Sequence, residues 1–264
     1  MSLTNSIDTY LENFSSRPMF AAIGKLAIAK IILGAEQNSS LHLSKRTASL
    51  KYREPPPELN WANRAFKLLQ AGCYVDEVER FFENATFVVF NYDRVLEVYF
   101  SEALEICYNI SQAEADAIVG AADIIHPYGC LGSIRQQYPN LAHVGFGDVS
   151  DDLVSISQGI RVYSESQEDN DLVPRVKAAM RTAETVCFLG FSYQRQNMDL
   201  LHPDPHVGYS TSRTIVGSAY SMSEFNINRV GKELMGMFNV DQVFVGGPQE
   251  TCAQFLDSHS KAFE

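Results

Sequence analysis

Hydrophobic and polar positions follow two different periods along the chain, and the period changes near residue 85. Before that point apolar side chains recur every three to four residues, the spacing of one helix face. Met19 to Glu36 carries Phe20, Ile23, Leu26, Ile28, Ile31 and Ile32 in this way, just after Pro18, which predicts a largely buried helix with proline in its first turn. Arg53-Glu54-Pro55-Pro56-Pro57 is a stiff break, because prolines remove backbone donors and restrict the residue before them. Helical spacing resumes from Trp61 to Gln70, stops at Ala71-Gly72, and returns briefly from Val75 to Glu83.

After residue 85 short apolar runs alternate with helical stretches. Thr86 to Phe90 predicts a strand, followed by a helix from Val95 to Cys107. Further strands are predicted at Asp123 to His126, Gly159 to Tyr163, Thr185 to Leu189, Thr214 to Val216 and Gln242 to Val245, with an amphipathic helix from Leu172 to Glu184. Strands spaced by helices predict βαβ units and a buried parallel sheet with helices on both faces, hence an α/β fold. Residues 1–84 form its mainly helical part and 85–264 its α/β part, read together as a single domain. The polar, acidic stretch Ser164 to Asp171 reads as a solvated loop ending in a helix N-cap.

Composition narrows the picture. With 264 residues, 45% of them hydrophobic, 11% aromatic and 20% charged, the chain can bury a substantial core, which excludes disorder as its main state. A net charge of −11 argues against nucleic acid as a partner, since that role calls for a basic face. The apolar run Leu26 to Leu33 is broken by Lys30 and falls well short of the roughly 20 residues of a membrane span. Asp8 and Glu12 stand where a secretory signal would be apolar, so a cytoplasmic protein with no membrane partner is expected. Cys73, Cys107, Cys130, Cys187 and Cys252 include no C-x-x-C pair, so neither a disulfide framework nor a cysteine zinc site is expected.

In an open parallel sheet ligands bind beyond the carboxyl ends of the strands. The residues found there are Asn91-Tyr92-Asp93-Arg94 after the first strand, His126-Pro127-Tyr128-Gly129 after the second, Gly190-Phe191-Ser192 after the run at Thr185, and Gly217-Ser218 after the run at Thr214. Small or hydrogen-bonding groups thus collect at one sheet edge. Each also has a plainer reading. Asn91 and Asp93 would cap the following helix, His126 would fix a turn, Ser192 would be a turn residue, and Gly217-Ser218 would be a close-packed corner.

Phe90-Asn91-Tyr92-Asp93, His126-Pro127-Tyr128-Gly129 and Leu189-Gly190-Phe191-Ser192, in that order on successive strand ends, resemble the late motifs of the sirtuin-like NAD-binding family. The chain is similar in particular to bacterial sirtuin-like proteins without a zinc module, over roughly Ser6 to Phe255. The resemblance implies a Rossmann-like fold and NAD as substrate or ligand, with no metal. It implies Asn91 and His126 as catalytic residues, Asn91 holding ribose hydroxyls and water and His126 moving a proton. Asp93 would lie by the nicotinamide carboxamide. Tyr92, Gly190, Ser192, Gly217 and Ser218 would complete the dinucleotide site, the last strand end approaching the adenosine.

Two departures shape the expected activity. The family opens with a strand and a Gly-Ala-Gly-x-Ser loop that cradles the pyrophosphate, whereas Gly24 and Gly34 lie on the predicted first helix. The chain is therefore expected to be an N-terminally truncated piece or a degenerate member. A missing strand would leave unpaired backbone, so self-association into a homo-oligomer is expected with it. The four-cysteine zinc module of the protein deacylases is also missing. The resemblance therefore implies NAD hydrolysis to nicotinamide and ADP-ribose ahead of deacylation, with a non-catalytic NAD or ADP-ribose sensor as the alternative. Relatives of this kind often serve bacterial defence by depleting NAD. Weaker motifs read as structure: Gly190 to Gln194 lacks the last glycine of a hydrolase elbow, His202 and His206 fall in a Pro-rich loop, Gly231-Lys232 is helix surface, and Cys130 is a buried small hydrophobe.

Overall fold

A computed structural model describes residues 11, 14, 17–42, 60–134, 143–149, 152–169, 171–202 and 213–263. Its elements run in the order α1 (Pro18–Asn38), α2 (Asn60–Gln70), a 3-10 helix (Val75–Arg80), β1 (Thr86–Val88), α3 (Val95–Tyr108), α4 (Gln112–Ala121) and β2 (Asp123–Ile125). There follow α5 (Leu153–Ser157), α6 (Tyr163–Gln167), α7 (Leu172–Thr182), β3 (Thr185–Phe188), α8 (Arg195–Leu201), β4 (Thr214–Gly217), α9 (Glu224–Phe238), β5 (Phe244–Val245), α10 (Cys252–Ser258) and a closing 3-10 turn (Ser260–Phe263). The fold is mixed α/β with two small parallel sheets. The chain divides into two compact units, one of residues 1–54 and 72–172, the other of residues 55–71 and 173–264.

In the first unit β1 and β2 pair in parallel, Phe87 opposite Ile124, and the Val89 N–H extends the ladder to the Ile125 carbonyl. Parallel pairing sends both carboxyl ends the same way. Phe81, Phe82, Phe87 and Phe100 pack edge-on or tilted beside this pair, with adjacent ring centroids 4.9–6.2 Å apart. Asn109 ends α3 in the left-handed region (φ 52°), and Ser111 with Glu114 then forms the capping box that starts α4, so the two helices turn back and pack on each other. Helix α1 packs on α5, turning Ile28, Ala29, Leu33 and Glu36 inward.

In the second unit β4 lies between β3 and β5, all parallel, with Val186 opposite Ile215 and Val216 opposite Phe244. Their apolar side chains meet Val230, Leu234 and Phe238 of α9 and Phe255 of α10 in a common buried core. Helix α10 also packs on α2, where Arg64 pairs with Asp257 at 2.8 Å, a half-exposed contact of small energetic weight.

The strands predicted at Thr86, Asp123, Thr185 and Gln242 form within their predicted spans, each shorter than its apolar run, and the one at Thr214 runs one residue further, to Gly217. The strand expected over Gly159 to Tyr163 does not form. Ile160 makes an isolated antiparallel bridge to Gly129, and the Val162 N–H is taken by the Glu165 carboxylate at 2.9 Å, which starts α6 instead. The acidic stretch is accordingly no simple solvated loop. Four of its residues are helical, and Ser166 is buried, with its hydroxyl donating to the Pro127 carbonyl at 2.8 Å. Its N-cap function is present, since Asp169 Oδ1 accepts from the Leu172 N–H at 2.9 Å.

Helix α1 is longer than its apolar run suggested. Its 21 residues, with a mean hydropathy of 1.6 over the most apolar window, are long and apolar enough to cross a membrane by length and composition. Met19, Phe20, Ile23 and Ile31 are exposed along it, while Glu36 is buried in an ion pair. The Arg53 to Pro57 break and the stretch from Pro203 to His206 lie outside the described residues.

Candidate functional site

The site of the first unit begins where β1 ends. Asn91 is exposed, and its neighbour Tyr92 is buried with its ring facing that of Tyr128. Asp93 is half-buried and accepts from the Val95 N–H at 3.2 Å, a side-chain turn just before α3, whose N-cap position is Arg94. Burial holds the Asp93 carboxyl above the usual carboxylate range; the Val95 N–H opposes this, the Glu36 and Glu97 charges add to it, and His126 opposes it.

Arg94 follows immediately and is fully buried. Its Nε and Nη2 donate to the two Glu36 oxygens at 3.1 and 2.6 Å, its Nη1 to the Val144 carbonyl at 2.6 Å, and Nη2 again to the Gly145 carbonyl at 3.1 Å. The Glu36 carboxylate also accepts the backbone N–H groups of Arg94 and Gly147. The fork of a guanidinium suits such multiple acceptors, and every charge in the group has its partner. The junction after β1 is thereby tied to the end of α1 and to residues 143–149.

His126 stands at the end of β2, 7% exposed. Its Nδ1 lies 3.1 Å from the Asn91 carbonyl oxygen and its Nε2 lies 2.9 Å from Oε1 of Glu97, one turn inside α3. A carbonyl only accepts, so Nδ1 carries a hydrogen. One further proton lies between Nε2 and Glu97. Burial lowers the imidazole's proton affinity, but the Glu97 charge and hydrogen bond, with the Asn91 carbonyl and the Asp93 charge, outweigh it and hold His126 above the ordinary histidine range. Behind it Gly129 takes φ +75°, and a Cβ there would collide with the Gly159 carbonyl, so the turn after His126 admits only glycine without rearrangement. Cys130 is buried and its thiol is pushed up to about 12 by burial, which keeps it protonated and unreactive.

The second unit carries the other strand ends. Gly190 is exposed at φ +61°, and its N–H donates to the buried Ser218 hydroxyl at 2.8 Å. The hydroxyl of Tyr193, itself buried, donates to the Ser218 carbonyl at 3.0 Å. Gly217 has no side chain in the space the Tyr193 hydroxyl fills, so its close-packed role is evident. Ser192 is exposed beside them. The residues expected along one sheet edge are divided between two sheets: Asn91, Tyr92, Asp93 and His126 gather in the first unit, and Gly190, Ser192, Gly217 and Ser218 in the second.

Neither Glu36 nor Glu97 is singled out by the sequence motifs, and Arg94 is so only as the last residue of the first strand end. The signal for Glu97 was available: a carboxylate flanked by Leu96, Val98, Tyr99 and Phe100 on a helix has to face something polar. Among the remaining motifs, Gly231-Lys232 lies on α9 with Lys232 exposed, and His202 follows the last residue of α8. Among the described residues no group of three or more His, Cys, Asp or Glu stands together in a way that would hold a metal ion.

Comparison with protein-family models, with curated proteins and with solved structures finds no match to this chain.

Proposed function

We propose that the chain is a Rossmann-like, sirtuin-like NAD-binding protein of the cytoplasm that cleaves the nicotinamide–ribose bond of NAD. The observation that carries this reading is the hydrogen bond between His126 Nδ1 and the Asn91 carbonyl, which sets the two motif-bearing strand ends of the first unit side by side. Breaking the glycosidic bond releases neutral nicotinamide and leaves an oxocarbenium-like ribose. Water then adds at the same carbon and gives up a proton, yielding ADP-ribose. Such a site has to hold ribose hydroxyls and a water, and the exposed Asn91 amide offers both a donor and an acceptor for that task. The half-buried Asp93 carboxyl is the neighbouring group for the carboxamide.

A second reading is a module that holds NAD or ADP-ribose without turnover. It is favoured by the engagement of both His126 ring nitrogens. Incubating the protein with NAD and separating the products by chromatography distinguishes the two. Nicotinamide and ADP-ribose should appear in equal amounts. Unchanged NAD together with stoichiometric binding in calorimetry would establish the second reading, and neither turnover nor binding would dismiss both.

A further inference from the structure

We propose that Glu97 is a positioning residue that acts through His126 to fix the backbone of Asn91, and with it the direction of the Asn91 side chain. The inference rests on the reading of Asn91 as the substrate-facing group, and it deepens that reading by assigning His126 a place behind the site.

His126 and Glu97 are both almost completely buried, at 7% and 2% exposure, whereas Asn91 is exposed. The imidazole bridges them: Nε2 to Glu97 at 2.9 Å and Nδ1 to the Asn91 carbonyl at 3.1 Å. Both ring nitrogens meet oxygen acceptors, so the arrangement holds together only with hydrogen on Nδ1 and one proton shared between Nε2 and Glu97. In this state no ring lone pair points toward a ligand, and the ring's contact with the site is the Asn91 main chain. Helix α3 makes Glu97 a rigid support, since its neighbours Val98, Phe100 and Leu104 are buried and the Asp93 carboxylate takes the Val95 N–H at the helix start.

The other charged groups nearby are accounted for. Glu36 is neutralised by Arg94 at 2.6 Å, Asp93 lies close enough to raise the proton affinity of His126, and the Cys130 thiol is kept protonated by burial. Deprotonating the pair would leave the Nε2 lone pair against the Glu97 carboxylate, an unfavourable contact that loosens the ring and releases Asn91. The lock is therefore intact below the raised His126 value and fails as pH rises through it.

Two variants of the full chain test this. Glu97→Leu removes the support and is expected to lower kcat for nicotinamide release by about 10²-fold, the cost of a misplaced catalytic group, with KM changed far less. Glu97→Gln can donate its amide N–H to Nε2 and leave the Nδ1–H on Asn91, so it should recover most of that loss and abolish the alkaline fall of the parent's pH–rate profile. Nitrogen NMR of the His126 ring gives a readout independent of turnover. Below the raised His126 value the parent ring should carry hydrogen on Nδ1 and the shared proton at Nε2, whereas Glu97→Gln should carry hydrogen on Nδ1 alone. Identical ring spectra in parent and Glu97→Gln would overturn the proposal, as would an unchanged kcat in a folded Glu97→Leu. If the parent releases no nicotinamide, the cleavage reading fails, and the ring spectra still decide the role of Glu97.

Discussion

Asn91→Ala is expected to lower nicotinamide release from NAD by about 10²-fold or more, the usual cost of removing one preorganised hydrogen-bonding group from a reacting centre. The fold should be nearly indifferent to the change. Asn91 is exposed at the end of β1, and its contact with His126 is made by the carbonyl, which alanine keeps. Exposed substitutions away from caps and cores usually shift stability by no more than roughly 0.5 kcal/mol. Chromatographic rates beside thermal melts of both proteins check the two halves of the statement. A folded Asn91→Ala that cleaves NAD as fast as its parent would remove Asn91 from the site.

Arg94→Ala should have the opposite profile, a large loss of stability whatever the activity. It would strand the buried Glu36 carboxylate and remove the donors to the Val144 and Gly145 carbonyls. Breaking one side of a buried ion pair typically costs about 3–5 kcal/mol, because the remaining charge has no partner. For a chain of this size that corresponds to a melting temperature lowered by roughly 10 °C. The double variant Glu36→Leu with Arg94→Met removes both charges and should recover a large part of the loss, since the pair offsets its own desolvation more than it adds. Denaturant titration of the three variants is the measurement, and a cost under about 1 kcal/mol for Arg94→Ala would contradict the burial argument.

The sequence was readable where local chemistry decides. The runs at Thr86, Asp123, Thr185 and Thr214 became strands because their β-branched and aromatic residues pair with a parallel partner, half-buried at Phe87 and Val88 and buried at Ile124, Ile125, Val186 and Ile215. Gly159 to Tyr163 has the same alternation, and Ile160 and Val162 are indeed buried, but the carboxylate of Glu165 claims the next N–H and turns the chain into a helix. That outcome depends on a side chain three residues on, inside a stretch whose charge suggested solvent. The distribution of strands over two sheets rests on contacts between distant segments, to which periodicity is blind. The site shows the same division. The strand-end residues were visible as motifs, and the parallel β1–β2 register brings Asn91 and His126 into contact. The partnership of Arg94 with Glu36, 58 residues away, has no local signature.

That partnership bears on how the first unit opens. Residues 143–149 contribute no helix to the unit, and their backbone groups would ordinarily exchange hydrogen with solvent freely. Yet the Gly147 N–H ends on the buried Glu36 carboxylate at 3.0 Å, the same oxygen that receives Arg94. Freeing that amide disturbs the carboxylate oxygen that also holds the guanidinium. The amide of a glycine in an irregular segment thus becomes a clock for the rupture of an ion pair one helix away, and its exchange should keep time with the core.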